Sequence, residues 1–326
     1  MAQPATEPRS WIKDLRPGDE VDEAYAVRSR EVRQRRSGGP YLALVLADRS
    51  GEVAALAWEN VDRIGDLCEP GRIVRIGGQV QRYNQRLQLV VRRAASADDV
   101  DPGGDLFIRS SRMPVAVLWQ ALEEQIEGIA DPHLKQLLFR VYADPDVREK
   151  FRIAPAARSL HHAYRSGLLE HTVSMCRAGR ALASHYELDE DLVVAGCLVH
   201  DLGKIWELEA GASIEYTDDG RLLGHIPMTA AYLDRRIDEL PEFPAETRRQ
   251  LLHIVLSHHG EYEYGSPRRP KFPEALLVHV VDNLDSKLAG MLEAIHGDCA
   301  PDAAWTPYSR ILERFVYRRR RDGTTS

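Results

Sequence analysis

The residues best equipped for chemistry are histidines set beside carboxylates or beside each other. Twelve histidines are present, and four fall in the pairs Glu170-His171, His200-Asp201 and His258-His259. In chain order the set is His171, His200-Asp201, His225, His258-His259 and Asp282. Imidazole nitrogen and carboxylate oxygen together suit borderline divalent ions such as Mn, Fe, Co or Zn. An aspartate can bridge two ions through its two oxygens, which no histidine can do. His200-Asp201 could therefore place one terminal and one bridging ligand on a metal pair. Taken singly, each residue also has a plainer reading. His133, His185 and His296 suit an ordinary surface or core, His258-His259 a polar helix end, and Asp282 a cap or a partner for Lys287. The ordered set is what points to metal chemistry.

These residues need helices to position them. Asp189 is a suitable N-cap for a helix through Leu192, Val193, Gly196 and Val199, with His200-Asp201 at its buried end. A further helix reaches His258-His259 and meets Gly260, a natural stop. Pro273 begins another, running through Leu276, Leu277, Val280 and Leu284 and carrying Asp282. Helical periodicity starts at Pro114, with Val117, Leu118, Leu122, Ile126 and Ile129 at three- and four-residue steps. Upstream, from about Trp11 to Arg93, the pattern is β. Tyr41–Ala47 and Glu52–Trp58 flank the turn Asp48-Arg49-Ser50-Gly51. Ile73–Ile76 and Gln79-Val80 lead to a turn at Tyr83-Asn84-Gln85, and Arg86–Val91 continues. Short strands with frequent turns predict a small barrel or sandwich. Asp98–Gly104 reads as a linker.

The chain of 326 residues, 36.8 kDa, is 44% hydrophobic and 29% charged, enough for two domains and a globular balance. No apolar run approaches a membrane span, and Met1–Arg9 is polar, so a cytoplasmic protein without a membrane partner is expected. Cys68, Cys176, Cys197 and Cys299 lie far apart with no Cys-x-x-Cys, which argues against a cysteine zinc site or a disulfide framework. The net charge of −7 hides an asymmetry: Ala24–Ser96 holds 13 Arg, no Lys and 7 acidic residues, or +6, leaving −13 elsewhere. A basic N-terminal region on an acidic body suits a polyanion partner held by one part only; a solvated Arg-rich surface is the alternative.

The order H…HD…H…HH…D resembles the HD superfamily of metal phosphohydrolases, in the variant with histidines enough for two metals. His200-Asp201-Leu202-Gly203-Lys204 is similar to its HD-x-GK signature. More narrowly, the run from His161 to Thr172, Gly224-His225-Ile226, Leu256–Gly260 and Asp282-Asn283-Leu284-Asp285 resemble segments of the YhaM-type 3′-to-5′ exoribonucleases. One departure is Ser166, where that pattern has Gly.

The resemblance implies a multidomain α and β protein, an N-terminal OB-fold-like small β-barrel followed by an all-α HD domain. The expected division is a disordered N-terminus at 1–10, the OB-fold-like nucleic-acid-binding domain at 11–97, a linker at 98–112, the helical domain at 113–310 and a basic tail at 311–326. It further implies one metal on His171, His200, Asp201 and Asp282, and a second on Asp201, His225, His258 and His259. Manganese is the expected pair, with Co, Fe or Zn as alternatives, and a water bridging the ions would act as hydroxide. Lys204 would bind a phosphate oxygen or remain a solvated helix-end cation. His161, His162 and Arg165 would touch substrate phosphates or support the ligands from behind. Tyr41, Trp58 and Tyr83, with Arg33, Arg35, Arg36, Arg82 and Arg86, offer rings and charge of the kind OB-folds use for single strands. Among the rings, Tyr83 is the expected contact and Trp58 an expected core residue. The expected activity is 3′-to-5′ hydrolysis of single-stranded RNA, with single-stranded DNA as a second substrate and a homo-oligomer as an open option. The rivals are an HD-type nucleotide phosphohydrolase with a regulatory OB-fold, and a non-catalytic nucleic-acid adaptor with a structural metal.

Overall fold

The structure, a computed structural model, describes residues 9–35, 37–84, 86–101, 104–158, 162–297, 303–309 and 312–318. Arg36 and His161, both named above as substrate contacts, lie outside the described residues. The chain divides into two compact units, residues 1–110 with 210–215, and residues 111–209 with 216–326. No helix among the described residues is long and apolar enough to cross a membrane.

The first unit is a closed barrel. Its strands are β1 (Glu20–Gln34), β2 (Pro40–Asp48), β3 (Gly51–Ala57), β4 (Ile73–Tyr83) and β5 (Arg86–Ser96), with helix α1 (Val61–Leu67) between β3 and β4. The strand order β1-β2-β3-β5-β4 closes through antiparallel pairing of β1 with β4, and β3 runs parallel to β5. This is the five-stranded OB-fold barrel the resemblance implied. Inward-facing Tyr25, Leu42, Leu44, Leu46, Ile76 and Leu89 fill it. Closure depends on a close backbone approach at a bulge: a Cβ on Gly78 would lie 2.2 Å from the Val90 carbonyl oxygen.

The β2–β3 hairpin and the β4–β5 turn fall where turn chemistry placed them. Strand β1, the longest, was not delimited, because its second half is charged and exposed. The expected linker packs instead. Asp98 accepts hydrogen bonds from Arg72 and from the Ile73 backbone N–H, and Phe107 is fully buried with Ala24, Ala26, Ile73 and Ala97. Arg9 and Ser10, expected to be disordered, also make contacts: the Arg9 guanidinium lies over the Trp11 ring and Ser10 N–H donates to Glu23. Residues 1–8 lie outside the described residues.

The second unit is helical: α2 (Val115–Glu127), α3 (Pro132–Ala143), α4 (Pro145–Ile153), α5 (Gly167–His185), α6 (Glu190–Val199), α7 (Lys204–Glu207), α8 (Asp218–Leu222), α9 (His225–Asp238), α10 (Ala245–Ser257) and α11 (Pro273–His296). Two short paired strands, β6 (Leu208–Ala210) and β7 (Ile214–Tyr216), follow α7, and residues 210–215 within them are counted with the first unit. Helix α6 is buried on every side from Leu192 to Val199, as an all-round apolar helix must be. It is capped by the Asp189 carboxylate, which accepts from Leu192 N–H at 3.0 Å. Around it pack α5, α10 and the first half of α11 through Leu168, Val173, Ile254, Val278 and Val281.

Leu276, Val280 and Leu284 of α11, which continue the helical pattern from Pro273, are each about half exposed. Within the basic tail expected at 311–326, Arg314 and Tyr317 pair back through the bridges Ser309↔Arg314 and Trp305↔Tyr317; residues 319–326 lie outside the described residues.

Candidate metal centre

Each side chain of the histidine and aspartate set is delivered by an element end or a buried helix face. His171 projects from α5, and His200-Asp201 follow the last turn of α6. His225 is the first residue of α9, behind Gly224 at φ +76°. His258 and His259 follow α10, and Asp282 lies midway along α11.

The glycine of His200-Asp201-Leu202-Gly203-Lys204 has a steric cause: a Cβ on Gly203 would lie 2.3 Å from the His225 carbonyl oxygen. Only a bare backbone lets the aspartate turn reach the start of α9. Ser166, the departure from the family pattern, sits at φ +64°, where glycine carries no strain, and its hydroxyl donates to the Arg152 carbonyl at 2.7 Å.

Asp201 is the hub, 3% exposed. Its Oδ2 lies 3.2 Å from His200 Nε2 and 3.9 Å from His171 Nε2. Its Oδ1 lies 3.3 Å from His225 Nε2 and 3.5 Å from His258 Nε2. The donor atoms therefore fall into two groups that share this carboxylate, His171-His200-Asp201 and Asp201-His225-His258-His259. Asp282 Oδ1 approaches His171 Nε2 at 3.3 Å but stands outside the first tight group.

All five histidines are oriented through their other ring nitrogen. His200 Nδ1 donates to Cys197 O at 2.9 Å, His258 Nδ1 to Val255 O at 2.7 Å and His259 Nδ1 to Tyr264 O at 2.9 Å. A carbonyl only accepts, so Nδ1 carries the proton and Nε2 presents a lone pair. His171 and His225 use carboxylates instead, Asp285 at 2.7 Å and Glu207 at 2.9 Å. Glu207 also accepts the His225 backbone N–H at 2.9 Å. A further histidine, His279, donates to the His258 carbonyl at 2.7 Å and packs where Gly260 (φ +80°) lacks a Cβ.

The electrostatics follow from burial against pairing. Burial alone would lower His171, but hydrogen bonds with Asp282 and Asp285 outweigh it and push it up to about 9. Burial would raise Asp201; the charges of Lys204 and His200 hold it well below the usual carboxylate range. Burial, joined by the neighbouring His258, pushes His259 down to about 4.

The donor set fits a cation. His200 Nε2, His225 Nε2, His258 Nε2 and Asp201 Oδ1 are buried with no hydrogen-bond partner among the described residues. Buried polar atoms left so cost roughly 1–3 kcal/mol each, and imidazole with carboxylate is a donor set for Mn, Fe, Co or Zn.

The other expected contacts separate into two kinds. Lys204 Nζ is turned onto Asp201 Oδ2 at 2.6 Å rather than outward. His162 is buried, with Nε2 at 3.2 Å from Asp285 and Nδ1 at 2.8 Å from the Tyr164 hydroxyl, so it stands behind His171. Arg165 is half-buried, and its carbonyl accepts from Ser111 N–H. On the barrel, Tyr83 is 65% exposed. Trp58, expected in the core, is on the surface, stacked on Tyr41 at 4.8 Å and covered by the Arg35 guanidinium. Tyr41 restrains it there. Arg28, Arg30, Arg33, Arg72, Arg75, Arg92 and Arg93 are ion-paired, several to Glu20, Asp22 and Asp98 outside the stretch whose charge was counted. Arg35, Arg82 and Arg86 have no ion pair among the described residues. Glu207 was missed, since nothing in its spacing marks it. Asp285, three residues after Asp282 and one helical turn on, carried a signal that was not used.

Residues 168–287 match the family model of the HD domain, and residues 27–95 that of the OB-fold nucleic acid binding domain (tRNA anti-codon type). Among solved structures, the second OB-fold domain of replication protein A from Methanococcus maripaludis aligns with 28% of this chain and 96% of its own, at 18% identity and a TM-score of 0.24. The curated protein 3′-5′ exoribonuclease YhaM of Bacillus velezensis is 34% identical over 283 residues, 85% of this chain and 88% of that protein. The Bacillus subtilis protein of the same name is 33% identical over 280 residues, with the same two coverages. With identity of this extent across both domains, the chain belongs to the family of YhaM 3′-5′ exoribonucleases.

Proposed function

We propose that the protein is a metal-dependent 3′-to-5′ exoribonuclease, with two divalent ions, manganese foremost, held by its helical domain. The observation that carries the reading is the carboxylate of Asp201, whose two oxygens each face a separate group of imidazole nitrogens. The first ion would be held by His171, His200, Asp201 and Asp282, the second by Asp201, His225, His258 and His259. Such a pair supplies an activated water and neutralises charge on a phosphodiester undergoing displacement. RNA as substrate and the 3′-to-5′ direction rest on the named relatives. Single-stranded DNA is a second substrate in this reading.

The chain's own part is orientation and electrostatics. Carbonyls of Cys197, Val255 and Tyr264 hold protons at Nδ1 of three imidazoles, and Glu207 and Asp285 do so for the other two. Every Nε2 is thereby aimed at the centre before any ligand arrives, so little reorganisation remains. The burial of His171, His200, Asp201 and His258 keeps bulk water from the floor of the site. Lys204, which Asp201 holds charged against the cost of burial, would lend positive charge to a phosphate bound there. The barrel at 11–97 would capture the strand through Tyr83, Trp58, Arg35, Arg82 and Arg86. Three buried, unbridged cysteines, Cys68, Cys176 and Cys197, fit a reducing, cytoplasmic setting.

The test uses single-stranded RNA labelled at its 5′ end, with Mn²⁺, beside a panel of free nucleotides. Stepwise shortening from the 3′ end is expected. Turnover of a nucleotide with an untouched oligonucleotide would replace this reading with a small-molecule phosphohydrolase.

A further inference from the structure

Helix α11 is the longest helix of the chain, and its two halves are supported differently. Its fully buried residues, Ala275, Leu277, Val278 and Val281, all lie in the first half. From Asp282 to His296 none is fully buried, although this half carries Asp282 and Asp285, the carboxylates that meet His171. With no fully buried residue of its own, this half is held mainly by the contacts of its two carboxylates, and it is the less firmly anchored half of the helix.

The same helix exposes Leu276 (53%), Val280 (46%), Leu284 (45%), Leu288 (49%) and Leu292 (52%). They recur every fourth residue and form one continuous i±4 ridge. Between Val280 and Leu288 the exposed residues include one charge, Lys287. A ridge this aliphatic lacks the positive charge a polyanion needs. Leu312, in the paired C-terminal segment, would lie 3.4 Å from a Cβ on Gly290. That segment adds exposed Trp305, Tyr308, Phe315 and Tyr317. Summed over the ridge and this segment, the exposed apolar surface is on the order of 800 Å², about what one partner of a standard interface buries.

An i±4 ridge packs into the groove beside another i±4 ridge, with axes crossing near −50°. A two-fold axis through the middle of the ridge supplies that partner from the same sequence. We infer that the protein is a two-fold homodimer in which the Leu276–Leu292 ridges of two copies cross at Leu284, and that this contact braces the half-helix carrying Asp282 and Asp285. Each copy then covers what the other leaves exposed. The bracing has a purpose only if Asp282 serves a metal, so that part rests on the proposed function; the dimer itself does not.

Sedimentation equilibrium of the full chain, with and without Mn²⁺, tests it. The wild type is expected to be a dimer. Leu284→Glu places two carboxylates at the crossing and is expected to weaken dimerisation at least roughly tenfold. Should that variant fail to fold, Leu284→Cys decides. Oxidised, it is expected to give a cross-linked dimer, while the wild type and Leu222→Cys, exposed elsewhere on the unit, stay uncrosslinked. Folded monomeric Leu284→Glu is also expected to bind Mn²⁺ several-fold more weakly by calorimetry. A wild type that stays monomeric, a Leu284→Glu dimer of unchanged strength, or absent Leu284→Cys cross-linking overturns the dimer. Unchanged Mn²⁺ affinity in the monomer overturns the bracing. A dimer that binds no Mn²⁺ at all counts against the metal-centre reading and leaves the dimer standing.

Discussion

Asp285 Oδ2 accepts the Nδ1 proton of His171 at 2.7 Å, and the same oxygen lies 3.2 Å from His162 Nε2. One carboxylate thus fixes the tautomer of a histidine from α5 and ties it to α11. Asp285 has no place in either proposed metal shell, yet its loss should be felt there. Asp285→Ala is expected to lower Mn²⁺ affinity by roughly 10–100-fold, as loss of a hydrogen-bond partner behind a metal-binding histidine does. Calorimetric titration checks this, with circular dichroism to show retained helices. Wild-type affinity in a folded variant would remove Asp285 from the account.

Gly203→Ala tests why the aspartate turn contains glycine. Its Cβ would meet the His225 carbonyl oxygen at 2.3 Å and the Thr229 hydroxyl at 2.8 Å. Backbone must shift, and destabilisation of roughly 2–3 kcal/mol is expected, within the range of overpacked cores. Urea denaturation should show it, together with lost metal uptake, because His225 and Asp201 separate. A variant as stable as the wild type would mean the turn is looser than described.

The barrel prediction concerns binding rather than chemistry. Arg35, Arg82 and Arg86 keep their charge unpaired among the described residues. Their joint replacement by Ala should reduce the salt slope of single-strand binding by about 2, at roughly 0.7 per phosphate contact. Trp58→Ala, which removes the ring stacked on Tyr41, should weaken binding by roughly 1–3 kcal/mol if a base stacks there. Filter binding across salt concentrations distinguishes the two. An unchanged slope would show that the strand does not follow these arginines.

Acid should loosen the barrel through Asp98. The hydrogen bond from Arg72 holds this carboxyl at about 2, below its ordinary 3.8, with the Ile73 N–H and Ser96 hydroxyl adding to it. A group whose pKa is depressed by folding stabilises above its unfolded value and loses that contribution as pH falls through the folded one. The stability gap between wild type and Asp98→Ala should therefore be full above about pH 4 and close towards about pH 2. Thermal melts at stepped pH measure it, and a gap independent of pH would assign the effect to packing alone.

Much of this architecture was legible because its signals are local. The turns at Asp48–Gly51 and Tyr83–Gln85, the Asp189 cap and the Pro273 start each depend on a few adjacent residues. The histidine set was legible because metal donors are few in kind and their order survives folding. What was not legible depends on distant partners. Glu207 matters because α7 ends beside His225, a proximity no spacing encodes. The Arg-rich stretch looked more basic than it is because Glu20, Asp22 and Asp98 answer it from outside the window. Trp58 was expected inside, whereas it lies at the surface between the Tyr41 ring and the Arg35 guanidinium, partners that its own neighbours in sequence do not reveal. The α11 leucines satisfied a core pattern, and periodicity does not say whether the partner is the same chain or another copy.

The central claim is that Asp201 joins two ions. Elemental analysis of manganese bound after equilibrium dialysis, on the wild type and on Asp201→Ala, addresses it most directly. The account predicts two equivalents on the wild type and fewer than one on the variant, because the only carboxylate shared by both donor groups is gone. Two equivalents retained by folded Asp201→Ala, or a wild type that never exceeds one, would contradict it.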